Sequence, residues 1–337
     1  MNSRSPFSST KATESKSTPE PESTASVSVK PESLNRLYQL KSRLQARHKL
    51  TACIRDFFSA RDFLEVDTPV RIAAPALEDH IDAEPSGTMF LRTSPELHMK
   101  RLLAAGYPRL FQLGPCFRAG EKGRRHLSEF TMLEWYRAHE DYQSILRDTV
   151  DLVKRAAHAL CGSHALSCRS VTINVAQEWE ALTVDQAFER YAGSSVDAAV
   201  AENRFEEILV DSVEPHLGRT RPTVLFDFPS QLGSLARTKP DNHRRVERWE
   251  LYIAGVELAN AYNELTDAGE QEHRFIESAA LRRRTGRGVY PLDNEYMACL
   301  RGGHLPECSG IALGVDRLLM ILTDAESIAD VVPFTEA

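Results

Sequence analysis

A carboxylate stands in the middle of an otherwise apolar strand pattern in HLSEFTMLEWYR, residues 126–137. Under the two-residue alternation of a strand, Phe130, Met132, Glu134 and Tyr136 point to one face of a sheet. The opposite face is largely apolar too, so Glu134 is expected to be buried. An unpaired buried charge costs about 3 to 5 kcal/mol. Glu134 therefore needs a cation, which is either an arginine or lysine of the chain itself or a group that the protein binds.

Two further glutamates flank a predicted turn in ERWELYIAGVELANAYNELTDA. A two-residue turn at positions 254–255 pairs residue 252 with 257 and residue 250 with 259. Glu250 and Glu257 then share one face of the sheet. Magnesium prefers oxygen ligands and commonly uses one or two carboxylates together with phosphate oxygens. The pair is a candidate magnesium site, and a solvated edge of the sheet is the alternative.

The elements that must position these residues follow from the spacing of apolar side chains. Helical spacing from Leu34 predicts a helical entry, and Ser94 before Pro95 and Glu96 is typical of a helix start. The remaining elements are predicted as strands at 63–69, 108–118, 126–137, 223–229 and 248–265, helices at 94–105, 141–160, 183–217 and 275–286, and a strand running into a helix at 308–324. Neighbouring strands are joined mostly by loops. This favours an α+β fold, with a mainly antiparallel β-sheet flanked by helices.

The amino-terminal segment differs in composition from the rest of the chain. Its first 33 residues contain ten Ser and four each of Thr, Pro and Glu. Such a segment buries too little apolar area to offset the entropy of ordering it. Residues 1–33 are therefore predicted to be a disordered extension, and residues 34–337 a folded domain.

The bulk composition is that of an ordinary globular protein of 337 residues, with 42% hydrophobic and 26% charged residues. Its net charge of −7 argues against binding nucleic acid through a broad basic surface. Basic clusters at 122–125 and 282–284 could meet phosphate or an acidic partner, although a solvated face is favoured for the second. No apolar run approaches the roughly 18 residues of a membrane span, and no signal peptide is recognised. A cytoplasmic location without membrane association is expected.

The cysteines give no sign of a metal site. They form no CxxC pair and no zinc-ligand spacing, so they are expected to be reduced, without a structural metal. They are Cys53, Cys116, Cys161, Cys168, Cys299 and Cys308.

Four segments together resemble the class II aminoacyl-tRNA synthetases. FLEVDTP resembles the first signature of these enzymes, Phe117-Arg118 with HLSEFTMLEWY the second, and GIALGVDR, residues 310–317, the third. ERWELYIAGVELANAYNELTDA resembles the segment of lysyl-tRNA synthetases that carries metal and substrate ligands. The resemblance runs from about residue 34 to 334 in order. It implies a class II catalytic core over 34–337 that uses ATP and Mg2+.

Within this class the sequence is most similar to the lysyltransferases that modify elongation factor P. Only a helical entry and the extension precede the first signature, where lysyl-tRNA synthetases carry an anticodon-binding barrel, so no tRNA partner is expected. Ser94 stands where those synthetases usually have Ala, and Ala312 where they have Gly. The lysyltransferases share both residues, which are associated there with acceptance of β-lysine. The resemblance thus implies lysine or (R)-β-lysine as substrate and elongation factor P as protein acceptor.

The resemblance also implies roles for the basic residues. Joining a carboxylate to the α-phosphate of ATP brings two anions together, so the site must supply positive charge. By resemblance, Arg118 holds the α-phosphate and Arg317 the γ-phosphate, as the catalytic pair. Arg125 and His126 assist them, and Phe130 stacks on adenine. Taken alone, Arg317 would be an ordinary salt-bridged arginine and Phe130 a core residue.

The same resemblance supplies a cation for Glu134. Glu134 and Glu264 match the positions that bind the side-chain ammonium of lysine, and Tyr136 and Tyr262 wall the slot. Glu96 would take the backbone amine. Lysine is then the missing cation.

Asn260 matches the ligand of the substrate carboxylate, and Glu250 and Glu257 match the ligands of the metal that accompanies ATP. Strict alternation, however, sends Asn260 and Glu264 to the face opposite Glu257. A bulge between Glu257 and Asn260 would bring all of these side chains to one face.

One loop departs from the family pattern. The family usually continues Phe-Arg-x-Glu, whereas Gly120 takes the acidic place here and Glu121 follows one position later. HLSEF likewise stands for the usual HNPEF. Either Glu121 serves the nucleotide from a shifted position, or the nucleotide contacts of this loop are weaker.

The resemblance as a whole implies a ligase that forms an aminoacyl adenylate and transfers the acyl group to a lysine side chain of elongation factor P. The first signature usually builds a dimer interface, so a homodimer is expected, although the segment could equally be internal core. Two alternatives remain. One is a free-standing class II ligase with another acceptor, such as tRNA, a carrier protein or ammonia. The other is an inactive paralogue that binds a translation component.

Overall fold

The computed structural model describes residues 31–335. Residues 1–30 of the predicted disordered extension, 1–33, lie outside the described residues. The first helix begins at Pro31, within the last three residues of that extension. The chain divides into two units, one ending at Tyr38 and one running from Gln39 onward. The second unit contains all of the described strands.

The helices follow the sequence prediction in part. Within residues 31–335 they are α1 Pro31–Gln39, α2 Lys41–Ser59, α3 Glu96–Ala104, α4 Tyr142–Cys161, α5 Val184–Tyr191, α6 Val196–Ala201, α7 Phe205–Ile208, α8 Ala268–Arg284, α9 Asn294–Arg301 and α10 Val315–Leu322. The helical entry is thus split into α1 and α2, and α9 was not predicted. Helix α8 begins at residue 268, seven residues before the predicted start, and the predicted helical region 183–217 is divided into α5, α6 and α7. Helix α4 has clear sequence signals at both ends, since the Asp141 carboxylate accepts the Ser144 N–H and Gly162 closes the helix with a φ of 65°.

The strands confirm the α+β prediction. They are β1 Leu64–Glu65, β2 Arg71–Ile72, β3 Pro85–Ser86, β4 Met89–Leu91, β5 Arg109–Phe117, β6 Glu129–Ala138, β7 Ala165–Cys168, β8 Val171–Asn174, β9 Glu180–Thr183, β10 Thr223–Phe226, β11 Arg248–Ile253, β12 Val256–Asn263 and β13 Cys308–Gly314. The large sheet has the order β1-β5-β6-β13-β12-β11-β10-β9. Its pairs are antiparallel except at the two edges, where β1 pairs with β5 and β9 with β10 in parallel.

One face of this sheet forms the main core with α2, α4 and α10. Leu133 and Trp135 of β6 lie on this face, fully buried. The Phe58 ring of α2 stacks on Phe111 of β5 at 4.7 Å between ring centroids and packs against Trp135 at 5.1 Å. Such aromatic side chains each bury a large apolar area. This core fixes the sheet whose other face carries the polar residues singled out from the sequence.

Some local predictions were wrong, and several short elements were not predicted. The strand expected at 63–69 is reduced to β1, because only Leu64 and Glu65 reach the edge of β5. The hairpin β7–β8 and the strands β2, β3, β4 and β9 were not predicted, and none of them is longer than four residues.

Another wrong prediction concerns the cluster 282–284, for which a solvated face was favoured. Arg283 and Arg284 are exposed, but Arg282 is fully buried. Its guanidinium donates to the carbonyls of Glu78, Ile81 and Gly288 and to Asp82. Arg282 therefore fixes the loop between β2 and β3.

The six cysteines are free thiols. Among the described residues, no helix combines the length and the apolar character that crossing a membrane requires.

Candidate active site

A cavity of about 930 Å³ opens on the polar face of the large sheet. Every site residue predicted from the sequence lines this cavity. They are Ser94, Glu96, Arg118, Glu121, Arg125, His126, Phe130, Glu134, Tyr136, Glu250, Glu257, Asn260, Tyr262, Glu264, Ala312 and Arg317.

The floor of the cavity is strand β13, whose cavity-facing residues are small. Ala312 pairs with Glu134 of β6 on one side and with Asn260 of β12 on the other. Gly310 likewise pairs with Tyr136 and Tyr262. A side chain at Gly310 would collide with the Tyr136 ring and come within 2.7 Å of Glu264 Oε1. The small residues of GIALG therefore leave room between the larger side chains of the neighbouring strands.

A β-bulge in β12 brings its polar residues to this cavity. Tyr252 pairs with Glu257 as predicted, but the pairing of 250 with 259 was wrong: Leu251 pairs with Ala259 and Glu250 with Asn260. Leu258 is the extra residue, and it reverses the alternation. Glu257, Asn260 and Glu264 consequently line the same cavity. The bulge required on sequence grounds is present.

At one end of the cavity, Glu134 has hydrogen-bond donors but forms no ion pair within the described part of the chain. It is 1% exposed. Ser94 Oγ donates to its Oε1 at 2.7 Å, and the Tyr136 hydroxyl donates to its Oε2 at 2.9 Å. Burial, together with the charge of Glu96, raises the pKa of Glu134 to about 7. A neighbouring cation would hold this carboxyl in its charged form.

Glu264 does have a cation, and the sequence reasoning missed it. Lys100 is 0% exposed and forms ion pairs with both Glu96 and Glu264. Glu264 Oε1 has no hydrogen-bond partner among the described residues. Burial raises the pKa of Glu264 to about 8 against the opposing effect of Lys100. The spacing from Glu96 to Lys100, one turn along α3, was the available signal.

Glu96, Glu134 and Glu264 form what we call the acidic end of the cavity. The Tyr262 hydroxyl donates to Glu96 Oε1 at 3.0 Å, and its ring lies 5.7 Å from Lys100 Nζ. The Glu96 N–H donates to Ser94 Oγ, so this hydroxyl joins the start of α3 to Glu134. A buried polar network with several acceptors and few cations is suited to bind ammonium groups.

Asn260 lies between the acidic end and the candidate metal site. Its register places it beside Ala312 on β13 and Glu250 on β11. Its Oδ1 is buried without a hydrogen-bond partner among the described residues. A buried amide oxygen without a partner is costly unless a donor group of a ligand pairs with it.

The opposite side of the cavity, which we call the basic end, carries Arg118, Arg125, His126 and Arg317. Arg118 lies over the Phe130 ring at 5.2 Å and 3.7 Å from Glu121. Its buried Nε has no partner in the part of the chain that the structure describes. Glu121 thus points into the cavity beside Arg118.

Arg317 lies in the first turn of the helix α10 and bonds to the loop before β6. Its Nη2 lies 2.6 Å from His126 Nε2, and its Nη1 donates to the Glu257 carboxylate at 3.2 Å. Arg125 donates to the Gly255 carbonyl at 2.9 Å. Burial and the neighbouring Arg317 lower the pKa of His126. The basic end is therefore a partly exposed part of the cavity that is lined by positively charged arginine side chains.

Glu250 and Glu257 share the cavity face, as predicted. Burial raises the pKa of Glu250 to about 7, while the Arg248 guanidinium at 2.5 Å opposes the rise. The pKa of Glu257 is lowered despite burial because Arg317 and Arg248 lie nearby. Arg248 is a second residue that sequence reasoning missed. It stands two residues before Glu250 on the same face of β11.

Within residues 31–335, no group of three or more His, Cys, Asp or Glu side chains is arranged to hold a metal ion. Two carboxylates that share a face remain a reasonable fit to Mg2+, because this ion commonly takes one or two carboxylates and completes its shell with phosphate and water.

Comparisons with known proteins identify the family to which the chain belongs. The family model for tRNA synthetases class II (D, K and N) matches residues 33–337. A protein of Histophilus somni named elongation factor P--(R)-beta-lysine ligase is 38% identical over 318 residues, covering 90% of this chain and 98% of the relative. Proteins of the same name from Pectobacterium atrosepticum and Salmonella typhi are 39% and 40% identical, covering 87% of this chain and 95% and 94% of those relatives.

The matches extend over nearly all of the folded chain and nearly all of each relative, and the family model includes every segment that lines the cavity. The chain therefore belongs to the class II aminoacyl-tRNA synthetase family, in the branch of the elongation factor P--(R)-beta-lysine ligases.

Proposed function

We propose that the protein is an ATP-dependent ligase that activates lysine or (R)-β-lysine as an aminoacyl adenylate and transfers it to a lysine side chain of elongation factor P. The observation that carries the proposal is the acidic end of the cavity. When ionised, its three carboxyl groups outnumber the one ammonium, that of Lys100, and leave an excess of negative charge in a buried site. A substrate with two ammonium groups complements that charge.

The substrate would bind along the row of residues that crosses the sheet. Glu134 and Glu264 would bind the far ammonium, with Tyr136 and Tyr262 as walls. Glu96 would take the other amine. Asn260 would then donate its amide N–H to the substrate carboxylate. This order directs the carboxylate from the acidic end toward the basic end.

In the first step the substrate carboxylate attacks the α-phosphate of ATP, and pyrophosphate leaves. Arg118 would stabilise the negative charge that develops on the α-phosphate, and Arg317 would hold the γ-phosphate with help from Arg125 and His126. For adenine to stack on Phe130, the Arg118 guanidinium, which now lies over that ring, would have to turn toward the phosphate.

Magnesium would be held by Glu250 and Glu257, and when bound it would neutralise phosphate charge. Glu257 already accepts a hydrogen bond from Arg317, so the metal site and the γ-phosphate site would be adjacent. Glu121, placed beside Arg118, is the acidic residue available to the nucleotide where Gly120 departs from the family pattern.

In the second step a lysine amine of the acceptor attacks the adenylate carbonyl, and AMP leaves. An exposed lysine has a pKa near 10.4, so the acceptor must lose a proton before it attacks. The adenylate phosphate or a nearby carboxylate would take it. We further propose that the enzyme acts in the cytoplasm as a homodimer and without tRNA.

Pyrophosphate exchange tests the first step. Exchange that depends on lysine or (R)-β-lysine is expected, with aspartate as the negative control. Exchange with neither lysine isomer would instead support an inactive paralogue. Comparing the two isomers at matched concentrations identifies the substrate.

A transfer assay tests the acceptor. The labelled amino acid is expected to appear on purified elongation factor P and not on total tRNA. Loss of transfer when the acceptor lysine is replaced by Arg is the control for side-chain attachment. Transfer to tRNA, or to neither, would point to another acceptor.

A further inference from the structure

Lys100 is a buried cation beside the cavity that no step of the proposed reaction uses. It projects from α3, one turn after Glu96, and none of its side chain is exposed. Its ammonium forms ion pairs with Glu96 of α3 and Glu264 beyond the end of β12. These are the two carboxylates proposed to receive the two amines of the substrate.

The groups around Lys100 come from several elements. The titratable groups that interact electrostatically with the Lys100 ammonium are Glu78 of the β2–β3 loop, Glu96 of α3, Glu134 of β6, Tyr262 of β12, Glu264 just after β12, Tyr296 of α9 and Cys308 of β13. Burial and the charge of Glu96 raise the pKa of Glu78 to about 7, while Arg118, Arg248 and Lys100 oppose the rise. The ion pairs of Lys100 are with Glu96 and Glu264, so the acidic end is the set of carboxyls that it holds most directly.

From this geometry, and on the basis of the proposed function, we propose that Lys100 is a positioning residue that acts as the resident counter-ion of the acidic end. Its single charge holds Glu96 and Glu264 together in the free enzyme. When all three carboxyls of the acidic end are ionised, two of their negative charges are left uncompensated. Two charges match a substrate that carries two ammonium groups.

The electrostatics of the pocket support this role. Although burial opposes the charged form, Glu264 and Glu96 hold the pKa of Lys100 well above its usual range. Lys100 in turn lowers the pKa values of Glu134 and Glu264, which burial raises to about 7 and about 8. Without Lys100, both carboxyls would hold their protons at higher pH and would bind an ammonium poorly near neutrality.

A titration of the ligand-free protein tests the counter-ion role without any substrate. The carboxyl carbons of 13C-labelled glutamate are followed by NMR in the parent, in Lys100→Met and in Arg101→Met. Arg101 is the matched control, because it is the next residue of α3 but pairs with Glu295 on the surface at 3.6 Å. In Lys100→Met the highest carboxyl pKa should rise by about one unit or more. An unchanged titration would overturn the proposal.

The pH profile of amino-acid activation separates this role from a packing role. For Lys100→Met, kcat/KM for lysine in pyrophosphate exchange should fall most at low pH and recover as pH rises, because the acid limb moves upward by about one unit. A residue that only packs would lower kcat/KM by the same factor at every pH, and that outcome would overturn the proposal. The acid limb of the pH profile of Arg101→Met should coincide with that of the parent.

If Lys100→Met does not fold, two other variants that remove Glu264 are compared instead. Glu264→Gln keeps Lys100, whereas Lys100→Met/Glu264→Gln removes both charges of the buried pair. The remaining carboxyls should titrate about one unit lower in the single variant than in the double variant. Coincident titrations would overturn the proposal. If no lysine isomer supports exchange by the parent, the proposed function fails, and the ligand-free titrations still decide the role of Lys100.

Discussion

The two ends of the cavity are built in different ways. At the acidic end the carboxylates are almost fully buried, and Ser94, Tyr136, Tyr262 and Lys100 hold them in place. At the basic end the cations are partly exposed and bond to loop carbonyls, to His126 and to Glu257. Under the proposed function, the acidic end would be preorganised for its ligand, whereas the basic end would exchange contacts within the protein for contacts with ATP. Changes at the acidic end should therefore affect amino-acid selection strongly, and changes in the basic loop should have smaller and more separable effects.

The largest effect is expected from Glu264→Gln. It removes one negative charge from the acidic end, and breaking a buried charge contact costs about 3 to 5 kcal/mol. We expect kcat/KM for the diamino acid to fall by about 10³-fold, while KM for ATP changes little. Kinetics of pyrophosphate exchange measure both. Equal activation of lysine by parent and variant would remove the proposed ammonium contact.

A methyl group at the floor should be nearly as harmful. In Gly310→Ala the new Cβ collides with the Tyr136 ring and approaches Glu264 Oε1. We expect kcat/KM for the amino acid to fall by about 10²-fold, since overpacking of this kind costs about 1 to 3 kcal/mol. The melting temperature, measured beside the kinetics, shows whether the loss is local. Activity close to that of the parent would show that the acidic end is not rigid.

The third prediction concerns stability and pH. The pKa of Glu134 in the folded protein is about 7, above its ordinary value near 4.3. The folded state therefore holds a proton that the unfolded chain releases between these pH values, and the stability contributed by this group falls as pH rises from about 4 to 7. Glu134→Gln cannot titrate. Between pH 5 and 8, the unfolding free energy of the parent should fall relative to that of the variant by an amount on the order of 2 to 3 kcal/mol.

Urea unfolding of both proteins at the two pH values measures this difference. Parallel pH dependences would show that Glu134 is not the group that takes up the proton. Added lysine should stabilise the parent more at pH 8 than at pH 6, because its ammonium replaces that proton.

At the basic end, Arg317→Lys should mainly affect ATP. Lysine keeps the positive charge but cannot contact His126 and Glu257 at once as the planar guanidinium does. We expect KM for ATP to rise by about tenfold, which corresponds to about 1.4 kcal/mol, with KM for the amino acid nearly unchanged. A matching rise in both KM values would show that the two ends are not separable.

The smallest effect is expected from Gly120→Ala, the counterpart of Gly310→Ala in the loop. Gly120 has a φ of 77°, and no atom of the described residues lies within 4 Å of the position that a Cβ would take there. The cost is then conformational alone, about 1 kcal/mol. A fall of a few degrees in melting temperature is expected, with both KM values within about twofold of the parent. A large rise in KM for ATP would mean that this loop is as constrained as the acidic end.

Much of the fold and of the site could be predicted from the sequence, because the strands that carry the site are long and strongly patterned. Glu134 was recognisable because a carboxylate is unusual in the middle of an apolar strand. The bulge in β12 was required for Glu257, Asn260 and Glu264 to share one face of the sheet. Lys100 escaped notice because lysine on an amphipathic helix is usually solvent-facing. Its burial depends on Glu264, which lies far away in sequence. Arg282 was misjudged for the same reason, since its partners belong to a loop about 200 residues earlier.

The extra residue in β12 also bears on how the protein tolerates change in its length. Because Leu258 is an extra residue in the strand, Glu257 before it and Asn260 after it have side chains on the same face of the sheet. Deleting that one codon would turn Asn260 and Tyr262 toward the aromatic and aliphatic interior while leaving every amino acid of the site in the chain. A change of one residue in the length of β12 would therefore alter which side chains face the cavity without altering their identity.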